Sequence, residues 1–317
     1  MMKTASTENQ LTELYSKITL LVISVICLSS IISPPIALLL GIIFAQFIKH
    51  PFPETTKKAT NWLLKISVIG LGFGMTTTSA IQAGKEGFIF TLFTIFGTLM
   101  LGYILGKIFR VDKTISFLIS GGTAICGGSA IATFSQIVKA KPDQISIALG
   151  VIFILNSVSL FIFPTLGHLM HMSQSDFGLW CAIAIHDTSS VVGASAKYGN
   201  EAIGTATTVK LARALWIIPI ALSSSFLFKQ KDLKIKIPYF IGLFILAIIA
   251  NTYVPVAHNL SPIIVKLAKA GLTLTLFLIG TSLSYKLIKS VGISPILQGT
   301  ILWISISVIS LIAILLF

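Results

Sequence analysis

The chain has 317 residues, of which 55% are hydrophobic and only 10% are charged, and its formal net charge is +13. Soluble domains carry roughly a quarter of charged residues, so this composition excludes a water-soluble globular protein. The basic residues stand in short connections between apolar runs, where membrane topology explains them better than a nucleic-acid partner does. The longest polar stretches are too short to form a separate soluble domain.

Eleven apolar segments are predicted, several of them close to the roughly 20 residues that a helix needs to cross a hydrocarbon core. The fold class is therefore predicted to be an all-α polytopic membrane protein, with residues 1–317 forming a single integral membrane transporter domain. The segments are 18–32, 35–48, 61–82, 88–109, 116–138, 143–169, 177–198, 202–228, 237–253, 260–287 and 293–317.

Residues 1–17 are predicted to form a polar cytoplasmic tail, followed by an extra N-terminal helix at 18–32. The tail mixes Lys3 and Lys17 with Glu8 and Glu13, and no small-residue cleavage pattern follows it. These features favour a retained helix over a cleaved signal peptide.

The basic clusters predict the orientation, because connections rich in lysine and arginine stay in the cytoplasm. With a cytoplasmic N-terminus and eleven crossings, most of the basic residues fall inside. The outer side receives Lys85, Lys139, Lys141 and Lys197, with Lys266 and Lys269 near its edge, and of these Lys139 and Lys141 fit better inside. Those two would also lie inside if segments 116–138 and 177–198 dip into the membrane and return. Eleven crossings and nine crossings plus two re-entrant segments both remain open. The inside clusters are Lys49, Lys57, Lys58 and Lys65; Lys107, Arg110 and Lys113; Lys229, Lys231, Lys234 and Lys236; and Lys286 and Lys289.

A weak internal echo links these same two segments. The stretch AICGGSAIA from Ala124 and the stretch AIHDTSSVV from Ala184 share the pattern Ala-Ile-x-x-x-Ser at an offset of 60 residues. If the echo reflects a duplication, two related broken segments approach from opposite sides, which is the design of inverted-repeat transporters.

The first broken segment is rich in glycine. Its sequence ISGGTAICGGSAIAT places two Gly-Gly pairs beside Thr123, Cys126 and Ser129. Glycine weakens a helix, and an unwound turn at membrane depth must line a wet cavity or bind a solute. The alternative is close helix packing through small residues. The candidate substrate-binding residues here are Thr123, Cys126, Gly127, Gly128 and Ser129.

The second broken segment carries His186, Asp187, Thr188 and Ser189 between apolar flanks. Ionisable residues inside a membrane are costly and indicate a functional site, although a surface loop or a satisfied core pair is the alternative. Because neighbouring residues lie about 100° apart on a helix, His186 and Asp187 face one target only where the helix is broken. These four residues are the candidate site for a coupling ion.

Lys210 and Arg213 lie three residues apart and therefore share one helix face. A buried guanidinium presents a planar fork suited to an oxyanion, so both residues are candidates for substrate binding. An internal ion pair with Asp187 or a snorkelled side chain is the alternative. Asn156 is interpreted as interhelical glue. The hydroxyl tract 76–79 is interpreted as a packing surface rather than a sodium site.

Four motifs resemble those of the YeiH-like family of bacterial membrane proteins: IGLGFGMTTTSAI from Ile69, GGTAICGGSAIAT from Gly121, AIHDTSSVVGA from Ala184 and KLARALWIIP from Lys210. The resemblance covers almost the whole chain and implies sulfate export. It also implies membership of the bile-acid/sodium symporter and cation/proton antiporter-like superfamily, with a panel domain, a core domain and two inverted repeats whose discontinuous segments meet near the midplane.

We therefore predict a secondary transporter, an exporter of sulfate or a small organosulfur or organic anion, coupled to H⁺ or Na⁺. The alternatives are a sodium-coupled importer of an organic anion and, more remotely, an intramembrane hydrolase using Cys126 or Ser129 with His186 and Asp187. The expected setting is the bacterial inner membrane, with lipid and a small anion as partners and a homodimer as one assembly. No catalytic residue, structural metal or cofactor is expected beyond sodium as a coupling ion.

Overall fold

The computed structural model of the protein describes residues 2–29, 31–48, 50–227, 239–283, 289 and 291–316, and these residues form helices joined by short turns. Several basic residues used to predict orientation, namely Lys49, Lys286 and those at 229–236, lie outside the described residues. The helices are α1 (Met2–Leu28), α2 (Pro34–Phe47), α3 (Pro53–Gly72), α4 (Thr77–Ile108), α5 (Lys113–Ala124), α6 (Gly128–Ile137), α7 (Pro142–Leu169), α8 (Gln174–Ala184), α9 (Thr188–Tyr198), α10 (Asn200–Leu215), α11 (Ile217–Leu227), α12 (Tyr239–Tyr253), α13 (Pro255–Gly280) and α14 (Ile293–Leu316).

The helices have the length and composition of a polytopic membrane protein. Among the described residues, five stretches are long and apolar enough to cross a bilayer, and a bent pair at 53–85 makes a sixth. Large apolar side chains such as Phe93, Met100 and Ile309 are more than half exposed on the outside of the bundle. A surface of this kind is favourable in lipid and unfavourable in water, so the all-α membrane fold is confirmed.

One predicted segment, 61–82, is wrong in its boundaries. The helix that enters it, α3, ends at Gly72, and α4 starts at Thr77 after a bend of 110°. The hydroxyl of Thr76 accepts a hydrogen bond from the Ser79 backbone N–H, and the Ser79 hydroxyl accepts one from the Thr76 N–H. This reciprocal cap starts a new helix inside a run that hydropathy alone treats as continuous.

Two other predicted boundaries also differ. Of the predicted tail 1–17, residues 2–17 belong to the single helix α1, which begins at Met2. The predicted segment 202–228 carries a turn at Trp216 between α10 and α11, and residues 200–224 still form one stretch long and apolar enough to cross a bilayer. Pro219 lies in the first turn of α11, and because proline has no N–H it cannot bond the carbonyl four residues earlier, where a continuous helix would need it.

The helices form two groups. In the first group, α13 packs against α1, α2, α3 and α12. In the second group, α4, α5, α7, α8, α9, α10 and α14 pack around one another, and α6 packs against α5, α7 and α11. The predicted panel plus core arrangement is confirmed, with the first group as the panel and the second as the core. Both broken segments belong to the core.

A buried glutamine ties together three helices of the core. The side-chain amide of Gln298 on α14 donates to the Ser116 hydroxyl on α5 at 2.7 Å and to the Gly102 carbonyl on α4 at 3.0 Å. At Gly106, one turn after Gly102, a methyl group would overlap the Ser116 hydroxyl. The close approach of α4 and α5 therefore depends on glycine at this position.

Gly106→Ala is expected to lower the thermal stability of the purified protein. Overpacking of this kind costs about 1–3 kcal/mol, which corresponds to a fall of several degrees in Tm. Gly97→Ala on the same helix is the matched control, because a methyl group there would meet no other atom within 4 Å. Equal melting temperatures for the two variants would show that α4 and α5 are not held in this contact.

Candidate functional site

The first broken segment is a hairpin. The rings of Phe117 on α5 and Phe134 on α6 have centroids 5.4 Å apart, whereas 17 residues of continuous helix would separate them by about 25 Å. At the base of the hairpin, the Gln144 side-chain amide at the start of α7 donates to the Asp112 carboxylate at 2.9 Å. The chain therefore enters through α5 and returns through α6 to the same side.

The second broken segment is also a hairpin. The rings of Phe177 on α8 and Tyr198 on α9 stack with centroids 3.8 Å apart. The Tyr198 hydroxyl donates to the Met172 carbonyl, just before α8, at 2.7 Å. These contacts join the first turn of α8 to the last turn of α9, so this segment also returns to the side from which it came.

The hairpins enter from opposite sides. Helix α7 starts beside the base of the first hairpin and ends beside the base of the second, and its 28 residues span about 42 Å, more than the hydrocarbon core. Of the two topologies that the sequence left open, the structure has the one with two re-entrant segments. Lys139 and Lys141 consequently lie on the same side as Lys107, Arg110 and Lys113.

The two hairpins are broken at equivalent positions. Helices α5 and α8 end at Ala124 and Ala184, and α6 and α9 begin at Gly128 and Thr188, so each pair of helix ends is 60 residues apart. This is the offset of the sequence echo. The echo therefore corresponds to a repeated structural unit, inserted once from each side.

The tips of the hairpins touch. Gly127 has φ +61° and ψ −118°, a conformation that side chains rarely adopt, and a methyl group on it would lie 3.4 Å from the Asp187 Cβ atom and from the His186 carbonyl oxygen. The unwound turn of one hairpin thus lies against the unwound turn of the other. The sequence-predicted residues of both segments meet at one place in the core.

The Asp187 carboxylate is held at the N-terminus of α9 by four donors. It accepts hydrogen bonds from the Ser190 N–H and hydroxyl at 2.8 Å, from the Ser189 hydroxyl, and from the Asn156 side-chain amide. The side-chain oxygen of Asn156, Oδ1, also accepts from the His186 backbone N–H at 3.0 Å. Asn156, interpreted from the sequence as a contact between helices, therefore positions the second tip. The only sequence signal for this role is the location of Asn156 deep in an apolar run.

Lys210 and Arg213 bind the other ends of the broken helices. Both are fully buried, and their partners are backbone carbonyls. Lys210 Nζ donates to the Ile185 carbonyl at 2.6 Å and to Ala182 at 3.2 Å. Arg213 donates through Nε to the Ala124 carbonyl and through Nη1 to Ile183, both at 2.7 Å. The two cations cover the C-termini of α5 and α8, where the helix dipole is negative.

The first two backbone N–H groups of α6 and of α9 have no acceptor. Among the described residues, none accepts a hydrogen bond from the backbone N–H groups of Gly128, Ser129, Thr188 or Ser189. Ser129 is exposed, and Gly128, Asp187 and Thr188 are partly exposed, so this side of the tips is open. The arrangement leaves the first two N–H groups of α6 and of α9 free, with the Asp187 carboxylate capping α9 at the Ser190 N–H, and it covers the two negative helix ends.

Two buried polar side chains at the tips have no partner among the described residues. They are the ring of His186, which is 1% exposed and bonded at neither nitrogen, and the hydroxyl of Thr123. Buried polar groups in folded proteins are nearly always paired, and these two groups are free to hydrogen-bond a water or a bound solute.

The residues that the sequence suggested for hydrolysis do not form a relay. The Asp187 carboxylate is taken up by Asn156, Ser189 and Ser190, and in the described part of the chain no side chain bonds the His186 ring. A nucleophile requires a base within hydrogen-bonding reach and a base requires an orienting partner. Cys126 lies in the turn between α5 and α6, and neither His186 nor Asp187 bonds it in the described part of the chain.

This architecture, two re-entrant hairpins meeting inside a helical core, defines a polytopic membrane protein with an internal polar site. The family model of conserved hypothetical protein 698 matches residues 14–299, and the chain belongs to that family, the YeiH-like family. No solved structure matches the chain.

Several relatives, each named UPF0324 membrane protein, are similar over most of the chain. The protein of Bacteroides thetaiotaomicron is 53% identical over 288 residues, covering 89% of this chain and 86% of the relative. The protein of Porphyromonas gingivalis is 50% identical, covering 91% and 88%. The protein of Shewanella oneidensis is 48% identical, covering 93% of both.

Proposed function

We propose that the chain is a secondary transporter of a small anion, bound between the two hairpin tips. The observation that carries the proposal is the pairing of free N–H groups at the N-termini of α6 and α9 with cations at the C-termini of α5 and α8. Two helix N-termini aimed at one place form an anion site. Discontinuous helices serve transporters in this way near the bilayer midplane.

The charges at the tips favour an anion over a cation. Arg213 is a cation and Lys210 is a second one when protonated, whereas the one negative charge, on Asp187, is already held by its four donors. A net positive charge in a low-dielectric interior is expensive unless a counterion joins it. Sulfate or a small organosulfur or organic anion is the class that fits.

Alternating access follows from the division into two groups of helices. Both hairpins belong to the core, so movement of the core against the panel would carry the site between the two sides. The first hairpin opens on the side of Lys107, Arg110, Lys113, Lys139 and Lys141, which the positive-inside rule assigns to the cytoplasm. We propose accordingly that the N-terminus is cytoplasmic and that the chain exports its anion through the bacterial inner membrane.

The coupling ion, H⁺ or Na⁺, is proposed to act at Asp187, Thr188 and Ser189. His186 is the weaker candidate for a proton carrier, because a charge on its ring would add a third cation beside Lys210 and Arg213. Thermal stabilisation by sodium without added anion would assign Na⁺ and would also favour import of an organic anion. Stabilisation that follows pH alone would assign H⁺.

Thr188→Pro is expected to weaken sulfate binding roughly 10- to 100-fold, because one N–H donor to the anion is lost and a hydrogen bond to a charged group contributes about 1.5–3 kcal/mol. Proline suits this first position of α9, since Asp187 before it is already extended at φ −102° and ψ 155°. Binding is measured as the sulfate dependence of Tm, and transport as labelled sulfate flux in proteoliposomes.

Thr188→Ala is the matched control, because it removes the hydroxyl and keeps the N–H. It is expected to retain most of the sulfate affinity. A Thr188→Pro variant that folds, binds sulfate and transports it as the wild type does would refute an anion site at the helix N-termini.

A further inference from the structure

A second cavity lies away from the hairpin tips, where the panel meets the core. It occupies about 410 Å³ between the end of α3, the first two turns of α10 and the middle of α13. This volume is at the lower end of the roughly 300–1,000 Å³ of ligand pockets in proteins. The residues that line it are Leu71, Gly74, Met75, Asn200, Ile203, Gly204, Thr207, Ser261, Pro262, Val265, Lys266 and Lys269.

One part of the cavity is positively charged. Lys266 and Lys269 lie one turn apart on α13, and no acidic residue lines the cavity with them. In the described part of the chain neither lysine forms an ion pair, and Lys269 Nζ donates to the Asn200 side-chain oxygen at 2.8 Å. Asn200 is the first residue of α10, and Glu201 beside it is exposed and does not line the cavity.

The remaining wall is apolar. Leu71, Met75, Ile203 and Val265 line it. A cavity with cations at one part and aliphatic side chains at another matches a ligand that has an anionic head and a short apolar body. A bare inorganic anion would leave the apolar wall against water, at a cost that grows with the apolar area.

One further polar group is unsatisfied in this wall. The hydroxyl of Thr207 is fully buried and has no partner among the described residues. Thr207 lies one turn before Lys210 on α10, so the cavity wall continues along this helix toward the residues that cover the hairpin ends.

We infer that this cavity binds a small organic anion, a sulfonate or carboxylate with a short aliphatic body, with its head between Lys266 and Lys269. The site is separate from the hairpin tips and does not require that the tips bind an anion. Because it is formed by both the panel and the core, a ligand here would favour the arrangement of the two groups that this structure has.

The test uses the purified full-length chain in a neutral detergent, with sodium butanesulfonate and sodium sulfate as probes at constant ionic strength. Butanesulfonate is expected to raise Tm at lower concentration than sulfate does. Lys269→Gln is expected to weaken butanesulfonate about tenfold, because one charged partner is lost. Val265→Thr is expected to weaken butanesulfonate several-fold and to leave sulfate unchanged, because only the aliphatic body touches that wall.

Two controls separate this site from others. Lys85→Gln removes an exposed lysine of α4 and is expected to change nothing. Thr188→Pro is expected to keep butanesulfonate binding while it weakens sulfate binding at the tips. The two ligands therefore report on the cavity and on the tip site separately.

Three outcomes would overturn the inference. Equal butanesulfonate affinity in wild type, Lys266→Gln and Lys269→Gln would show that neither lysine binds the anionic head. Loss of binding in Thr188→Pro would place the ligand at the tips. Displacement of butanesulfonate by added phosphatidylglycerol, with the same lysine dependence, would assign the cavity to a lipid headgroup.

Discussion

Arg213→Leu is expected to destabilise the protein more than any other single change considered, and to abolish transport. The substitution leaves the carbonyls of Ala124 and Ile183 without their 2.7 Å donors at the buried ends of two helices. Each buried group left unpaired costs about 1–3 kcal/mol, and the helix dipoles lose the charge that opposes them. The melting temperature and the yield of folded protein measure the effect.

Arg213→Lys separates the charge from the fork. Lysine keeps the positive charge but has a single ammonium group. It can therefore donate well to the Ala124 carbonyl or to the Ile183 carbonyl but not to both, and a stability between those of the wild type and Arg213→Leu is expected. Lys85→Leu is the control for loss of an exposed cation from α4. If Arg213→Leu keeps the wild-type Tm and loses only sulfate binding, Arg213 contacts the substrate directly, and its role as a cover for the helix ends is wrong.

Gly127→Ala is expected to reduce transport by more than tenfold while the fold is retained. The backbone of Gly127, at φ +61° and ψ −118°, is held in a region where a non-glycine residue costs about 1–3 kcal/mol. A methyl group would also press on Ile152, Asp187 and the His186 carbonyl at 3.3–3.4 Å. The turn that joins the two tips would have to shift, and the free N–H groups of α6 would move with it.

Gly128→Ala is the matched control, from the adjacent glycine. A methyl group there meets only Leu149, at an ordinary 3.5 Å, and alanine suits the first position of a helix. Labelled sulfate flux and the sulfate dependence of Tm are compared for the two variants. Equal flux in both would contradict a fixed tip geometry at Gly127.

The broken segments were predictable because their signals are local. Paired glycines weaken a helix wherever they stand, and His186 with Asp187 is costly in any apolar run. The boundary at 61–82 was missed because hydropathy does not register the cap formed by Thr76 and Ser79. The cavity at Lys266 and Lys269 was missed because its lining comes from three helices that are distant in sequence.

The role of Lys210 and Arg213 was not predictable from their spacing. A spacing of three positions puts Lys210 and Arg213 on the same helix face. It does not identify their partners, because either a bound oxyanion or a backbone carbonyl satisfies a buried guanidinium. The carbonyls are the partners because, in the folded protein, the ends of α5 and α8 lie beside α10. We therefore propose that backbone N–H groups of α6 and α9 bind the anion directly, and that Lys210 and Arg213 bind the carbonyls at the ends of α5 and α8 instead of the anion.

Membrane residence and the location of both breaks follow from the sequence alone, because hydropathy and glycine content act over a few neighbouring residues. Whether each broken segment crosses or returns was decided by tertiary structure. The choice depends on whether its two halves pack side by side, as Phe117 packs on Phe134 and Phe177 on Tyr198. Such contacts between residues about 20 apart are set by the surrounding helices, which a local pattern does not describe.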